Sequence, residues 1–286
     1  MPTVAIVTCA ELPDLDSDET LLLEPLRARG VDPVAAVWND PAVDWDSFDA
    51  TVVRCSWDYS RQRGRFLSWA RTVPRLHNRA GLLEWNTDKR YLGDLAGAGV
   101  PVVPTTWLPP GTHVELPDAG EWVLKPSIGA GSRDAGRYLM GDVAQRERAC
   151  ELVSRLHAGG ATVMAQPYMD DVDVNGERAL VYLDGVFSHA VRKGAMLDGP
   201  YEGDVELFKA ETIAPATATE AELALGKIVM DTIEGEPPLY ARVDVVGTDA
   251  NLLLLELELT EPSLFYTHSE GAAERMADAI AAKLAA

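Results

Sequence analysis

The sequence predicts an α/β protein, and three observations lead to this prediction. Short apolar segments alternate with helical segments over the first 85 residues, which is typical of an open α/β sheet. A strand that ends in Lys125 runs directly into a glycine-rich loop. Near the C-terminus, two strands joined by a short turn carry acidic residues on one face.

Composition excludes several classes of function. The 286-residue chain is 47% hydrophobic and 24% charged, as in globular proteins, and has a net charge of −20. Such a charge argues against a nucleic-acid binder or a protein of anionic membrane surfaces, although basic residues clustered over 54–90 leave a phosphate ligand open. The three separated cysteines match neither a disulfide framework nor a zinc site, and no apolar stretch is long enough for a membrane span. We expect a cytoplasmic protein.

The N-terminal third is predicted to build a small sheet with a crevice. Apolar runs predict strands, and helical patterns follow the first and third of them. The strands are predicted at residues 3–8, 34–38 and 50–54, and the helices at residues 17–30 and 61–73. Ligands of open sheets gather where strands end. The loops at residues 8–11 and 55–59 therefore predict a substrate pocket, although strand-end loops are often only connections.

The middle of the chain predicts an anion site. A helix over residues 86–99 would be capped by Asn86 or Thr87 and would carry Lys89 in its first turn. Strands follow at residues 101–106 and 121–125. Gly129, Gly131 and Ser132 then form a loop whose backbone N–H groups are able to bind phosphate. No Gly-Lys-Ser/Thr follows these glycines, so the loop is not a Walker motif.

Further along the chain, residues 143–158 predict a helix and residues 163–165 a strand. Pro167 lacks a backbone donor, which predicts an edge strand or a linker there. Residues 178–191 predict a hairpin around an Asp184–Gly185 turn, ending at Arg192 and Lys193. The glycine-containing residues 194–206 predict either a lid or an ordinary surface loop. Helices are expected at residues 223–233 and 272–284.

The C-terminal hairpin at residues 239–262 predicts a metal site. Pairing of Val246 with Leu252 would place Arg242 opposite Glu256, with Asp244 diagonal to it. Two carboxylates at that separation suit a small divalent cation. A half-exposed hairpin with a polar outer face is the alternative. The leucines before the acids indicate burial on both faces, where carboxylates need a metal or a cation.

Taken in order, these motifs resemble those of the ATP-grasp ligases of the glutathione-synthetase type. The segments VLKPSIGAGSR, QPYM and EPSLF are more specifically similar to the cyclo-ligases that close O-ureido-D-serine to D-cycloserine. The resemblance implies an ATP-grasp fold with an N-terminal open α/β substrate domain (residues 1–85). A central lobe (86–165) and a C-terminal lobe (166–286) would sandwich ATP.

The resemblance also implies roles for individual residues. The ATP phosphates would be held by Lys89 and Lys125 under the loop of Gly129, Gly131 and Ser132. Gln166, Tyr168 and Met169 would contact adenine, and Asp171, Asp173 or Glu177 would take the ribose. Mg²⁺, or Mn²⁺ in its place, would be held by Asp244, Glu256 and Glu258. The γ-phosphate and the substrate carboxylate would face Arg242 together with Arg192 or Lys193.

One position departs from the family pattern. Glu258 stands where the family usually has Asn. An additional negative charge attracts cations but repels phosphate, so Glu258 is the weakest of the three expected metal ligands.

The chemistry implied is activation of a carboxylate as an acylphosphate, with release of ADP and attack by a nitrogen. We expect an enzyme that acts on a small amino-acid-like substrate, without nucleic-acid or membrane partners; the resemblance suggests a homodimer. Two alternatives stay open at this point: a kinase of the same fold that phosphorylates a hydroxyl, and a non-catalytic nucleotide-binding module.

Overall fold

A computed structural model describes residues 1–203 and 211–285, and these residues form three β-sheets with helices packed around them. The expected lid at residues 194–206 therefore lies partly outside the described residues. No helix in the described ranges is long and apolar enough to cross a membrane.

The first sheet confirms the predicted open α/β arrangement. Its strands are parallel in the order β2-β1-β3-β4. The strands are β1 (Thr3–Thr8), β2 (Asp32–Val37), β3 (Ala50–Cys55) and β4 (Leu76–His77), and the helices are α1 (Leu23–Ala28), α2 (Arg63–Ala70) and α3 (Ala80–Asn86). Helix α1 is shorter than predicted and follows a 3₁₀ turn (Glu19–Leu22). Pro25, which has no N–H to donate, lies in its first turn, a position that helices tolerate.

The second sheet differs from prediction in two places. Its order is β5-β8-β6-β7, formed by β5 (Thr106–Leu108), β6 (Glu121–Pro126), β7 (Gly136–Leu139) and β8 (Val163–Pro167), with α5 (Val143–Ala158) alongside. The strand expected at residues 101–106 is wrong: only Val102 forms an isolated bridge, to Leu254. Strand β8 is an interior strand, not an edge. Pro167 is tolerated because β5 pairs only as far as Ala165.

The helix expected over residues 86–99 is also wrong. Helix α3 ends at Asn86, helix α4 spans Tyr91–Gly97, and Lys89 lies between them. The Asn86 amide is unavailable as a cap because it donates to the Leu257 carbonyl (2.7 Å) and accepts from the Leu259 N–H (2.7 Å). A long-range contact thus decides where the helix breaks.

The third sheet carries the acidic hairpin in the order β11-β10-β9-β12-β13. Its strands are β9 (Glu177–Leu183), β10 (Val186–Lys193), β11 (Ile213–Ala216), β12 (Tyr240–Val246) and β13 (Leu253–Glu258); its helices are α6 (Asp171–Asn175), α7 (Glu220–Asp231) and α8 (Ala272–Ala285). The predicted Asp184–Gly185 turn is present, with φ of 48° and 76° at its two residues.

The predicted register of β12 and β13 is wrong. Asp244 pairs directly with Glu256, and Arg242 pairs with Glu258. Two residues of shift add up: Val246 pairs with Leu253 instead of Leu252, and a bulge places one extra residue, Leu255, between the partners of Val245 and Asp244. The two carboxylates are consequently direct neighbours across the ladder, closer than the diagonal position that we expected.

One core joins the first sheet to the third. Ile6 of β1 and Val52 of β3 belong to the same buried cluster as Val181 of β9 and Met276 and Ile280 of α8. The N-terminal part and the strands that carry the acidic hairpin are therefore packed as neighbours around α8. Division of the chain into domains at residues 85 and 165 stays a prediction.

We predict that Asn86→Ala destabilises the protein by roughly 2–4 kcal/mol, because the buried carbonyl of Leu257 and the N–H of Leu259 would each lose a partner. Chemical denaturation monitored by circular dichroism measures this loss. The matched control is Asn175→Ala on the exposed end of α6, which should change the free energy of unfolding by less than about 0.5 kcal/mol. Equal effects of the two substitutions would contradict the assigned role of Asn86.

Candidate active site

A cavity of about 400 Å³ lies where the three sheets meet, and its volume is typical of a small-molecule site. Trp57 and Tyr59 line it from the loop after β3, Lys125 from β6, and Lys193 and Asp244 from the third sheet. Of the two strand-end loops expected to form the substrate pocket, the loop at residues 55–59 reaches the same space as the acidic hairpin, whereas residues 8–11 do not line it.

Glu256 of the third sheet forms ion pairs with two lysines, one of which, Lys125, lies on the second sheet. Its carboxylate lies 3.1 Å from Lys89 Nζ and 3.4 Å from Lys125 Nζ. Burial alone would raise the pKa of Glu256, but the two ammonium groups outweigh burial and lower that pKa to about 2. Glu256 is therefore ionised at neutral pH and holds two lysines in the cavity.

Asp244, on the neighbouring strand β12, forms ion pairs with Arg242 and Lys193. It accepts hydrogen bonds from Arg242 Nε at 2.9 Å and from Lys193 Nζ at 3.0 Å. Lys193 also lies 3.1 Å from Glu177. Burial works against ionisation of Asp244, yet Arg242 and Lys193 lower its pKa below the ordinary value. Arg242 in addition donates to Glu258.

Two further carboxyls of the cavity have raised pKa values. Burial is the main cause at Glu258, where Glu256 and Asp244 add to it and Arg242 opposes it, and the pKa rises to about 7. Burial and the charge of Glu258 raise the pKa of Glu261 to about 8. Glu261 is 7% exposed and accepts a hydrogen bond from the Tyr59 hydroxyl. The sequence reasoning missed Glu261, since it follows the end of β13 and no strand pattern extends to it.

The end of the cavity near β8 has the features of an adenine pocket. Gln166 lines it and donates to Thr105 Oγ1 at 3.0 Å. Within the described parts of the chain, neither the Tyr168 carbonyl nor the Met169 N–H makes a hydrogen bond. Arg137 stacks on the Tyr168 ring, 3.5 Å from its centre. These two groups belong to one trans peptide and point in opposite directions, so a ligand on one side would meet either the free acceptor or the free donor.

The glycine-rich loop covers the lysines. Lys89 Nζ donates to the Gly129 carbonyl at 2.7 Å, and Gly131 and Ser132 follow with φ of 63° and 56°. This left-handed pair turns the chain back over the cavity, which both residues line.

Most of the predicted site residues meet at this cavity. Those that line it are Lys89, Lys125, Gly129, Gly131, Ser132, Gln166, Tyr168, Met169, Glu177, Lys193, Arg242, Asp244, Glu256 and Glu258. Two do not. Arg192 precedes Lys193 on β10 and so points to the other face of the strand, and Asp171 accepts a hydrogen bond from Asn175 on α6. Asp173, the other ribose candidate, is held by Arg137 and the Tyr168 hydroxyl.

The expected convergence of Asp244, Glu256 and Glu258 on one metal position is not found. Each of the three carboxylates is held by Lys or Arg, and no group of three His, Cys, Asp or Glu within residues 1–203 and 211–285 is arranged to hold a metal. The donor set nevertheless fits Mg²⁺. Asp244 and Glu256 face each other with hard oxygen atoms, and Mg²⁺ is commonly bound by one or two carboxylates together with substrate phosphates.

Comparisons with known proteins identify chains similar to this one over its whole length. The family model described as "D-cycloserine synthetase DcsG, N-terminal domain" matches residues 4–78. The cycloserine biosynthesis protein DcsG of Streptomyces lavendulae is 38% identical over 300 residues, covering 99% of each chain.

Solved structures give the same result for the fold. The crystal structure of the D-cycloserine synthetase DcsG aligns with a TM-score of 0.86 at 37% identity over 99% of both chains. A RimK domain ATP-grasp protein from Sphaerobacter thermophilus aligns at 0.67 with 18% identity, over 97% of this chain and 98% of that one. An ATP-grasp ligase of similar fold has been solved with Mg²⁺ and ADP.

We predict that Glu261 makes the stability of the ligand-free protein fall as the pH rises. Its folded pKa of about 8 lies above the ordinary value of 4.5, so its stabilising contribution is complete below 4.5 and is lost as the pH rises through about 8. Glu261→Gln, which cannot ionise, should lose less stability over this interval. The difference should reach a few kcal/mol, since one pKa unit corresponds to about 1.4 kcal/mol.

Thermal unfolding at a series of pH values measures the effect, with the exposed Glu147→Gln on α5 as the control. Parallel pH profiles for wild type and Glu261→Gln would show that Glu261 is not perturbed as described.

Proposed function

Because the chain belongs to the DcsG family of ATP-grasp ligases, we propose that it closes O-ureido-D-serine to D-cycloserine through an acylphosphate. The chain is an ATP-dependent, ADP-forming ligase, and the cyclisation is our proposal for its substrate and product. ATP and Mg²⁺ are used by ATP-grasp ligases generally.

The observation that carries the proposal is the contact of Glu256 with both Lys89 and Lys125 in a cavity that Trp57 and Tyr59 also line. The lysines can bind a triphosphate, and the aromatic crevice can take a small amino-acid-like molecule. One enclosed space of about 400 Å³ thus brings a phosphoryl donor and a small carboxylate together.

In the first half-reaction an oxygen of the substrate carboxylate attacks the γ-phosphorus, and the bond to ADP breaks. Phosphoryl transfer asks a protein mainly for positioning and charge stabilisation. Lys89 and Lys125 supply positive charge to the phosphates, and Arg242 with Lys193 supplies it to the substrate carboxylate. Two unit charges about 4 Å apart gain roughly 4 kcal/mol at an effective dielectric constant of 20. Mg²⁺, held by Asp244 and Glu256 with Glu258 as the weakest candidate, would neutralise phosphate charge.

In the second half-reaction the ureido nitrogen next to the oxygen attacks the acyl carbon, and phosphate leaves. The ring nitrogen then carries a carbamoyl group, which water removes as carbon dioxide and ammonia. No covalent enzyme intermediate is required. The cysteines support this view, since neither Cys9 nor Cys55 lines the cavity and burial raises the thiol pKa of both, to about 11 for Cys9.

The remaining assignments belong to the same proposal. Adenine would be held by backbone groups of Tyr168 and Met169 beside Gln166. Glu177 is favoured for the ribose, because it alone of the three candidate acids lines the cavity. Mn²⁺ as a substitute for Mg²⁺, a cytoplasmic location and a homodimer stay predictions of the resemblance.

We predict that Lys125→Ala and Glu256→Gln each lower ADP production by at least about 10²–10³-fold, since each removes a charge that holds the phosphates or the metal. A coupled assay of ADP release measures the loss, and circular dichroism checks the fold. Lys227→Ala, an exposed lysine paired with Asp231, and Glu147→Gln are the matched controls and should keep full activity. Near-normal turnover by either cavity variant would refute the site assignment.

The ligase and kinase alternatives separate in one experiment. Hydroxylamine added with ATP, Mg²⁺ and O-ureido-D-serine should intercept the acylphosphate and give a hydroxamate. A stable phosphoester without hydroxamate would show a kinase, and an absence of ADP release with every small amino acid tested would leave only nucleotide binding.

A further inference from the structure

The second half-reaction needs a base. A ureido nitrogen is a poor nucleophile while it keeps its proton, because its lone pair is delocalised into the neighbouring carbonyl. Removal of that proton as the C–N bond forms makes the attack feasible, and a positioned side chain typically accelerates such a step by about 10²–10⁴-fold. Nearby carboxylates raise the pKa values of Lys89, Lys193 and Arg242 above their ordinary values despite burial, so these side chains stay protonated and cannot take this proton.

We propose that Glu261 is this general base, whose carboxylate accepts the proton of the nucleophilic ureido nitrogen. The inference rests on the proposed function. The N–H electron pair forms the new C–N bond, the C–O bond to phosphate breaks with its electrons going to phosphate, and the proton remains on Glu261. Glu261 then passes the proton to the departing phosphate and is ready for the next turnover.

The position of Glu261 supports the role. Its main chain is held from the first sheet, because Trp57 Nε1 donates to the Glu261 carbonyl at 3.0 Å and Arg54 donates to the neighbouring Pro262 carbonyl at 2.6 Å. Its side chain lines the cavity between Tyr59 of the crevice and the Lys89–Glu256 pair. The acylphosphate would form near Lys89, and the rest of the substrate would lie in the crevice. The attacking nitrogen would therefore come close to the Glu261 carboxyl.

Glu261 also differs from the other carboxyls of the cavity in the partner of its side chain. The other carboxylates of the cavity are ion-paired: the buried Asp244 and the half-buried Glu256, Glu258 and Glu177 each lie against Lys or Arg. Among the residues that the structure describes, no Lys or Arg pairs with Glu261, and its side-chain partner is the neutral hydroxyl of Tyr59. A carboxyl beside a hydroxyl can gain and lose a proton without breaking an ion pair.

The charges around Glu261 keep its pKa in a useful range. Burial, Glu258 and Glu256 raise it, while Lys89 and the Tyr59 hydroxyl lower it, and the result is about 8. A base whose pKa lies near the working pH exchanges protons most effectively. The alternative candidate for the base is His268, a half-buried imidazole that also lines the cavity. It lies after the segment whose main chain is held by Trp57 and Arg54.

The test separates the two half-reactions. Wild type, Glu261→Gln and Glu261→Asp are assayed with ATP, Mg²⁺ and O-ureido-D-serine, with and without hydroxylamine, and hydroxamate and D-cycloserine are both measured. Glu261→Gln should form hydroxamate within about threefold of wild type but lose D-cycloserine formation by about 10²–10⁴-fold. Glu261→Asp keeps a carboxylate and should recover part of the loss.

Each other outcome overturns the proposal. Wild-type ring closure by Glu261→Gln would exclude a base role, and equal loss of hydroxamate and product would indicate a role in binding or folding. If His268→Gln shows the expected split instead, the imidazole is the base. Absence of hydroxamate from wild type would contradict the proposed function itself, not Glu261 alone.

A second variant covers the case in which Glu261→Gln does not fold. Tyr59→Phe removes the hydroxyl partner and keeps the carboxylate. Because Tyr59 also lines the substrate crevice, the readout is the ratio of D-cycloserine to hydroxamate, which Tyr59→Phe should lower less strongly than Glu261→Gln does. Product formation equal to wild type in Tyr59→Phe would then count against the proposal.

Discussion

Paired charges inside the cavity are the constraint on which the rest of the structure depends. Glu256 holds Lys89 and Lys125, and Asp244 holds Arg242 and Lys193. A buried charge without a partner is costly, so folding must bring these groups together from the second and third sheets. On the proposed function, the same pairs would allow a chain of net charge −20 to bind a triphosphate, because the carboxylates would turn to a metal and the freed cations would turn to phosphate.

The N-terminal part does more than supply a substrate crevice. Side chains from it hold the main chain of residues 257–262: Asn86 binds Leu257 and Leu259, Trp57 binds Glu261, and Arg54 binds Pro262. Arg54 itself is buried against Glu19 at 3.0 Å. The chain that continues from β13 is therefore fixed by the part that would bind the substrate. Burial at this position disfavours the ionised form of Glu261, and the raised pKa of its carboxyl reflects that cost in free energy.

Local signals in the sequence predicted the elements whose causes are local. Helix α5, the Asp184–Gly185 hairpin and the faces of β12 and β13 follow from periodicity and turn chemistry. The misses have long-range causes. A turn one residue longer than expected and the bulge at Leu255 together shifted the register, and the contacts of Asn86 with Leu257 and Leu259 broke a helix that its own sequence favours. Glu261 lies beyond the last strand residue, so no period marks it. The contacts expected with adenine and phosphate came from the resemblance to a family. The order and the spacing of the motifs made that resemblance specific.

The most direct test of the central claim is a crystal structure with Mg²⁺ and a non-hydrolysable ATP analogue. It would measure the separation of Lys125 Nζ and Glu256 Oε2, which is 3.4 Å in the ligand-free protein. If ligands replace the ion pairs, Lys125 should move away from Glu256 and bind a phosphate oxygen. Glu256 and Asp244 should then both bind the metal. An intact Lys125–Glu256 pair, with nucleotide and metal bound elsewhere, would contradict the account.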